Sequence, residues 1–304
     1  MKADTVQLSQ LVDPQDPRAI LEEIRTILLS MHPDLHFGTV EGVFVDVVSL
    51  FRGDYPGYRR CTTDYHNLQH TTDVVLALTR LIHGASIEGK PLSKQDVVRA
   101  VLAGLFHDTG YIQQDDDREG TGAKYSRVHV QRGIEFMKGY FSDRGFSSED
   151  LNVCRSTILC TELGTNVDEI PFPSPTASLL GRLMGAADLV GQMADRIYLE
   201  RLLFLYYEFK EGNVDDYRDE TDLLRRTLDF YAMARERLAG PLRGVNRYMA
   251  PHFKQRWKIK GDPYETAIEK NRKYLVYLVE NHQQDHRDYL RRGRIVQRLR
   301  EEGK

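Results

Sequence analysis

SKQDVVRAVLAGLFHDTGY, residues 93–111, decides between helix and strand for this chain. Val97, Val98, Val101, Leu102 and Leu105 recur three and four apart, which puts them on one face of an α-helix rather than on a pleated strand. Ser93 stands three residues before Asp96, a capping pair that starts the helix, and Gly110 supplies a residue tolerant of positive φ where it stops. The run ends on adjacent His107 and Asp108. An imidazole and a carboxylate at the mouth of a buried helix are costly to desolvate unless something binds them. Two ligand types on consecutive residues fit a borderline or hard divalent cation such as zinc, manganese, iron or magnesium.

The same rhythm extends outward. Ile20, Ile24, Ile27 and Leu28 follow it, and Ser147 with Asp150 repeats the capping pair. No alternating strand pairs or hairpin dipeptides compete. The spacing predicts helices at about 17–31, 39–51, 68–84, 94–107, 126–141, 148–161, 176–209, 218–239 and 264–300, the last broken near Asn281. The fold class is therefore all-α, a multi-helix bundle. The loops carry Gly, Pro and acidic punctuation, as in FRGDYPGYRRCTTDY, QQDDDREGTGAKY and GTNVDEIPFPSPT. No repeat or linker divides the chain, so a single domain is expected over 1–304. Its segment after about residue 245 turns basic and aromatic, either an appended helical arm or a solvated helix packed along one side.

Composition bounds the function. With 304 residues the chain can bury a substantial core, and 41% hydrophobic with 29% charged residues is an ordinary globular balance. A net charge of −3 lacks the basic bias of a nucleic-acid binder, so no duplex partner is expected. Cys61, Cys154 and Cys160 form neither a CxxC pair nor an even disulfide framework, and read as buried small residues in a reducing compartment. The N-terminus lacks the apolar segment of a signal peptide, and no stretch approaches the roughly 20 apolar residues of a membrane span. A cytoplasmic protein without a membrane partner is expected. A homo-oligomer stays open.

Two further stretches belong with His107 and Asp108. TTDYHNLQHTTDVV, residues 62–75, holds His66 and His70 four apart where a polar stretch becomes apolar, with Asn67 placed to cap the helix. LLGRLMGAADLVGQMAD, residues 179–195, buries the lone carboxylate of Asp188 among Leu183, Met184, Ala187 and Leu189. Such a group must be paired, protonated or metal-bound, and Arg182 and Arg196 are the salt-bridge partners at hand.

The order His70, His107 with Asp108, then Asp188 resembles the H, HD, D signature of the HD superfamily of metal-dependent phosphohydrolases. The match to its cyclic nucleotide phosphodiesterase branch is closer. YHNLQHTTDV resembles that branch's YHNxxHxxDV at Tyr65, His66, Asn67, His70, Asp73 and Val74. TILCTEL at 157–163 resembles ILATDM, with Glu162 where aspartate is usual. GAADLVGQ resembles CADLSNP around Asp188, and HVQRG at 129–133 has the HxxxG spacing of His129. The resemblance spans about residues 60–210 and implies an all-α fold.

It further implies that His70, His107, Asp108 and Asp188 hold one divalent ion, that Asp108 bridges to a second, and that His66 is the general acid for the departing sugar oxygen. Such ions polarise phosphoryl oxygens and acidify a bound water that attacks phosphorus in line. An imidazole suits the proton delivery, since its ordinary pKa of about 6.5 lies near operating pH. Asn67 is expected to cap the segment and Asp73 to hydrogen-bond behind the ligands.

The departures are specific. The branch reads HDxDHxG where this chain reads HDTGYIQ, so Gly110 and Tyr111 replace an aspartate and a histidine, and His129 or Glu162 would have to compensate at a second ion. Phe253 and Gln255 lie in flanks unlike those of the branch's purine clamp. The substrate expectation is a small phosphate ester or nucleotide, cyclic or not. An HD-type nucleotidase or phosphomonoesterase and a metal-binding sensor or scaffold without turnover are the alternatives. Lys124, Arg127 and Arg132 lie near the expected mouth, though charged residues there are more commonly a solvated face. His32 and His36 read as loop residues, and His83, His252, His282 and His286 as surface positions.

Overall fold

The computed structural model describes residues 2–214 and 217–304. Among these residues there is no strand, only isolated bridges pairing Lys2 with Lys260 and Tyr58 with Gln114. The fold is all-α. In chain order the helices are α1 (Leu8–Leu11), α2 (Pro17–Met31), α3 (Gly38–Arg52), α4 (Leu68–Ile87), α5 (Lys94–Phe106), α6 (His129–Arg144) and α7 (Ser148–Ile158). They continue with α8 (Pro175–Ala194), α9 (Tyr198–Gly212), α10 (Glu220–Ala239), α11 (Met249–Trp257), α12 (Pro263–Asn281), α13 (His286–Tyr289) and α14 (Ile295–Glu301).

Local chemistry sets the starts. Ser93 and Asp96 exchange side-chain to backbone hydrogen bonds at the head of α5, and Ser147 and Asp150 do so at α7. Asp16, Ser174 and Asp262 cap α2, α8 and α12 just ahead of a proline in the first turn. The centre of the molecule is the pair α4 and α8. Both are buried around most of their circumference, the mark of a helix enclosed on all sides. α4 packs on α8, α2, α5 and α11, and α8 also on α7 and α12.

Three expectations need correction. The run expected as one helix over 176–209 is two, because Asp195 turns the chain: one of its carboxylate oxygens accepts from the Ile197 amide (3.1 Å) and the other from Arg201 (3.1 Å). The segment after residue 245 is no arm. Met249 and Phe253 of α11, Leu275 and Leu278 of α12, and Ile295 and Leu299 of α14 all join the common core. His83 and His252 are not surface residues either: both are buried, with their Nδ1 atoms 2.9 Å apart, and burial pushes each pKa down.

Beyond Asn281 the expected break occurs, leaving α13 and α14 as short pieces. The three cysteines are free, Cys154 and Cys160 buried and Cys61 half-buried. Among the described residues no helix is long and apolar enough to cross a membrane.

Candidate metal centre

The N-terminal end of α4, the C-terminal end of α5 and the middle of α8 meet at one point. Asn67 caps α4 by accepting from the His70 amide (3.1 Å), which fixes the turn that turns the His70 ring inward. His70 Nε2 lies 3.2 Å from Asp108 Oδ2 and 3.5 Å from Asp188 Oδ1, and His107 Nε2 lies 3.3 Å from Asp108 Oδ2. His70, His107 and Asp108 offer ligand atoms all within 4.8 Å of one another. Asp188 makes no salt bridge to Arg182, which instead pairs with Asp168 (2.5 Å).

His107 presents one ring nitrogen to the cluster. Its Nδ1 donates to the Gly104 carbonyl (2.7 Å), which fixes the tautomer and leaves the Nε2 lone pair exposed to the cluster. His107 Nε2 and Asp108 Oδ2 are both buried without a hydrogen-bond partner. Orphaned polar atoms of this kind are expensive, and a two-imidazole, two-carboxylate donor set is one that a divalent cation satisfies.

The electrostatics couple the same groups. Burial by itself would push the imidazoles down and the carboxyl up. The close approach reverses this, raising His70 to about 9 through Asp108 and Asp188, raising His107 through Asp108, and holding Asp108 well below the carboxylate range.

His66 does not join this set. Its Nδ1 lies 2.6 Å from Glu208 Oε2, while Glu208 Oε1 accepts from the Tyr65 amide (2.6 Å). Glu208 on α9 thus grips the segment ahead of α4 at two points. Arg201 of the same helix adds a bond to the Tyr65 carbonyl. The His66 ring stacks on Tyr111, with centroids 4.4 Å apart and planes 13° apart, and Tyr111 stacks in turn on His129 at 4.5 Å.

Gly110 explains one departure from the phosphodiesterase pattern. A Cβ there would meet the His129 carbonyl oxygen at 1.9 Å and the Gly133 amide nitrogen at 2.7 Å, so α6 leaves no room for a side chain. His129 Nδ1 donates to the Ser126 carbonyl (2.8 Å), and its Nε2 lies 3.8 Å from Asp108 Oδ1. Burial lowers its pKa despite that carboxylate.

Two residues expected near the centre stand apart. Asp73 accepts a 3.5 Å hydrogen bond from Gln69 and lines a different cavity from the one the cluster opens into. Burial and the neighbouring Asp195 carboxylate raise its pKa. Glu162 is exposed on the wall of the same cavity as the cluster and accepts from Thr165. Lys124 pairs with Asp117, and Arg132 donates to the Gly110 (2.9 Å) and Ile112 (3.1 Å) carbonyls, so neither is placed to steer a substrate.

Glu208 is the residue that sequence reading missed. It interrupts the apolar and aromatic run LLFLYYEF, the same signal that singled out Asp188. The cluster opens into a cavity of about 690 Å³. His66, His70, Asp108 and Asp188 line one part, Leu202, Phe209, Leu223, Phe230 and Met233 another, and Arg127 and Arg226 also lie on the wall.

No curated protein matches the chain. The sequence pattern of one family does match, over residues 57–238, a stretch that contains every ligand of the cluster together with His66, His129 and Glu208. The chain belongs to the Npun_R2479-like family.

Proposed function

We propose that this protein is a metal-dependent phosphohydrolase, a phosphodiesterase acting on a nucleotide or related phosphate ester, as its resemblance to the HD superfamily implies. The observation that carries the reading is the buried, unpartnered pair of His107 Nε2 and Asp108 Oδ2 facing His70 and Asp188. Those four residues would hold zinc, manganese, iron or magnesium, with His129 beside Asp108 as the nearest further ligand for a second ion. A cation there would polarise phosphoryl oxygens and acidify water.

The chain's own groups supply the rest. Glu208 engages His66 Nδ1 and so leaves Nε2 as the nitrogen that gives a proton to the leaving oxygen when the phosphorus–oxygen bond breaks. Tyr111 fixes the plane of that ring from one face. The apolar wall accepts the organic part of the substrate while excluding water.

A sensor or scaffold without turnover is the second reading. It rests on Gly110, where the backbone of α6 occupies the space an aspartate would need. Metal analysis of the purified protein, followed by assays on cyclic nucleotides, dinucleotides and mononucleotides, separates the readings. Hydrolysis of a diester is expected; release of phosphate from mononucleotides alone would favour the nucleotidase. Bound metal with no turnover would favour the scaffold, and a protein that holds no metal would sink the proposal. His66→Ala should keep the metal and lose turnover, whereas Asp108→Ala should lose both.

A further inference from the structure

The cavity that opens from the candidate metal centre constrains what the phosphate ester carries. Its volume, about 690 Å³, lies within the roughly 300–1,000 Å³ of pockets that enclose a whole small molecule, so there is room beyond a phosphoryl group. Away from the cluster, side-chain carbon dominates the wall. Leu205 and Phe209 of α9 line it with Phe230 and Met233 of α10, and all four are half-buried, leaving surface that a bound molecule can cover.

The polar groups on that wall are already engaged by the protein. The hydroxyls of Ser126, Thr161 and Thr227 each donate to a backbone carbonyl three or four residues back, to Ala123 (2.6 Å), Ile158 (2.9 Å) and Leu223 (2.8 Å). Arg127 donates to the Asn213 carbonyl, and the Arg226 guanidinium lies over the Tyr217 ring at 4.2 Å. Among the described lining residues the one side-chain amide is Gln192, and both of its ends are taken. Its Nε2 donates to the Asp188 carbonyl (3.2 Å), while its Oε1 accepts from the Tyr65 hydroxyl (2.7 Å).

A nucleobase edge and a ribose carry several donors and acceptors, which would give up water against such a wall and find few replacements. The residues that the sequence offered for a purine clamp lie elsewhere. Phe253 is buried in the core, Gln255 is exposed on α11, and neither lines the cavity. We propose that the preferred substrate is a phosphodiester whose organic group is a hydrocarbon rather than a nucleoside, with Phe209, Phe230 and Met233 as its specificity-determining residues. This rests on the reaction proposed above: water oxygen bonds to phosphorus and yields a proton to solvent, the phosphorus–oxygen bond to the alcohol breaks, and that oxygen leaves with the proton from His66.

Two measurements on the full chain test it. In the first, titration calorimetry compares ethyl, butyl and hexyl phosphate with thymidine monophosphate and inorganic phosphate. Each added methylene should tighten binding about fourfold, and hexyl phosphate should bind at least about tenfold tighter than thymidine monophosphate. Phe230→Asn and Met233→Asn, at two separate half-buried positions, should each reduce the gain per methylene. In the second, kcat/KM for dihexyl phosphate should exceed that for a thymidine dinucleotide by at least about tenfold, both being diesters with alcohol leaving groups. Affinity independent of chain length, tighter binding of thymidine monophosphate, faster hydrolysis of the dinucleotide, or a length dependence unchanged in the folded variants would each overturn the proposal. A length dependence as expected with neither diester hydrolysed would instead sink the reaction and leave the hydrocarbon assignment of the wall in place.

Discussion

The difference between His66 and His70 is a difference in which nitrogen is occupied and by what. His70 turns Nε2 to two carboxylates, while His66 gives Nδ1 to one, Glu208, and keeps Nε2 for the cavity. Glu208 is therefore a positioning residue, acting through His66. Glu208→Gln keeps the shape but replaces an acceptor by an amide whose donor end competes with Nδ1–H. Under the proposed reaction we expect kcat to fall about 10- to 100-fold with KM and metal content little changed. Steady-state kinetics with metal analysis checks this, and loss of metal in the variant would show that Glu208 acts on the centre itself. Of this site, the residues legible in the sequence were those on short motifs: His66 and His70 four apart, His107 beside Asp108, Asp188 alone in an apolar run. Glu208 was not read, because its partner lies 142 residues away and only the fold brings them together.

Helices were legible where a periodic face coincided with a cap, as at α5 and α7, and boundaries were lost where the turn is made by a side chain. Asp195 ends α8 without a glycine or proline, so the apolar run of α8 and α9 reads as continuous. α11 was hidden differently: its nine residues mix Met249 and Phe253 with His252, Lys254 and Arg256, and composition masked the buried face. The attachment of the C-terminal elements depends on contacts no local pattern encodes. Glu220 at the start of α10 accepts from His286 (2.9 Å) and Arg287 (2.7 Å) in and around α13. Burial pushes its carboxyl up, but the bonds from His286 and Arg287 outweigh this and hold it at about 2, against an ordinary 4.5. A depressed carboxyl contributes stability that is present above about pH 4.5 and lost as the pH falls toward 2. Glu220→Gln should therefore be less stable than wild type at neutral pH, with the gap between them closing below pH 4.5. Denaturant midpoints of the two proteins across pH 3–7 measure this, and a gap independent of pH would show that the ion pair is not what fastens the C-terminal elements.

At the scale of the molecule, the fold class was legible because a helical period repeats from Ile20 to the last core residues, while the arrangement was not, since nothing local says that α4 and α8 lie at the centre. Their centrality gives the candidate metal centre a structural consequence. The four proposed ligands come from α4, from the junction after α5 and from α8, the elements against which most of the others pack. A cation bound to the native cluster and absent from the unfolded chain stabilises the whole fold by mass action, by about 2.7 kcal/mol at a free concentration one hundred times Kd. For a chain of 304 residues that corresponds to a melting temperature higher by about 5 °C. Chelation followed by dialysis should lower the wild-type melting temperature by about that amount, and readdition of a divalent cation should restore it. His107→Ala, which removes one orphaned ligand atom, should melt at the same temperature with and without chelation. A wild-type melting temperature unmoved by chelation, in protein shown by elemental analysis to have carried metal, would place that metal elsewhere than between α4, α5 and α8.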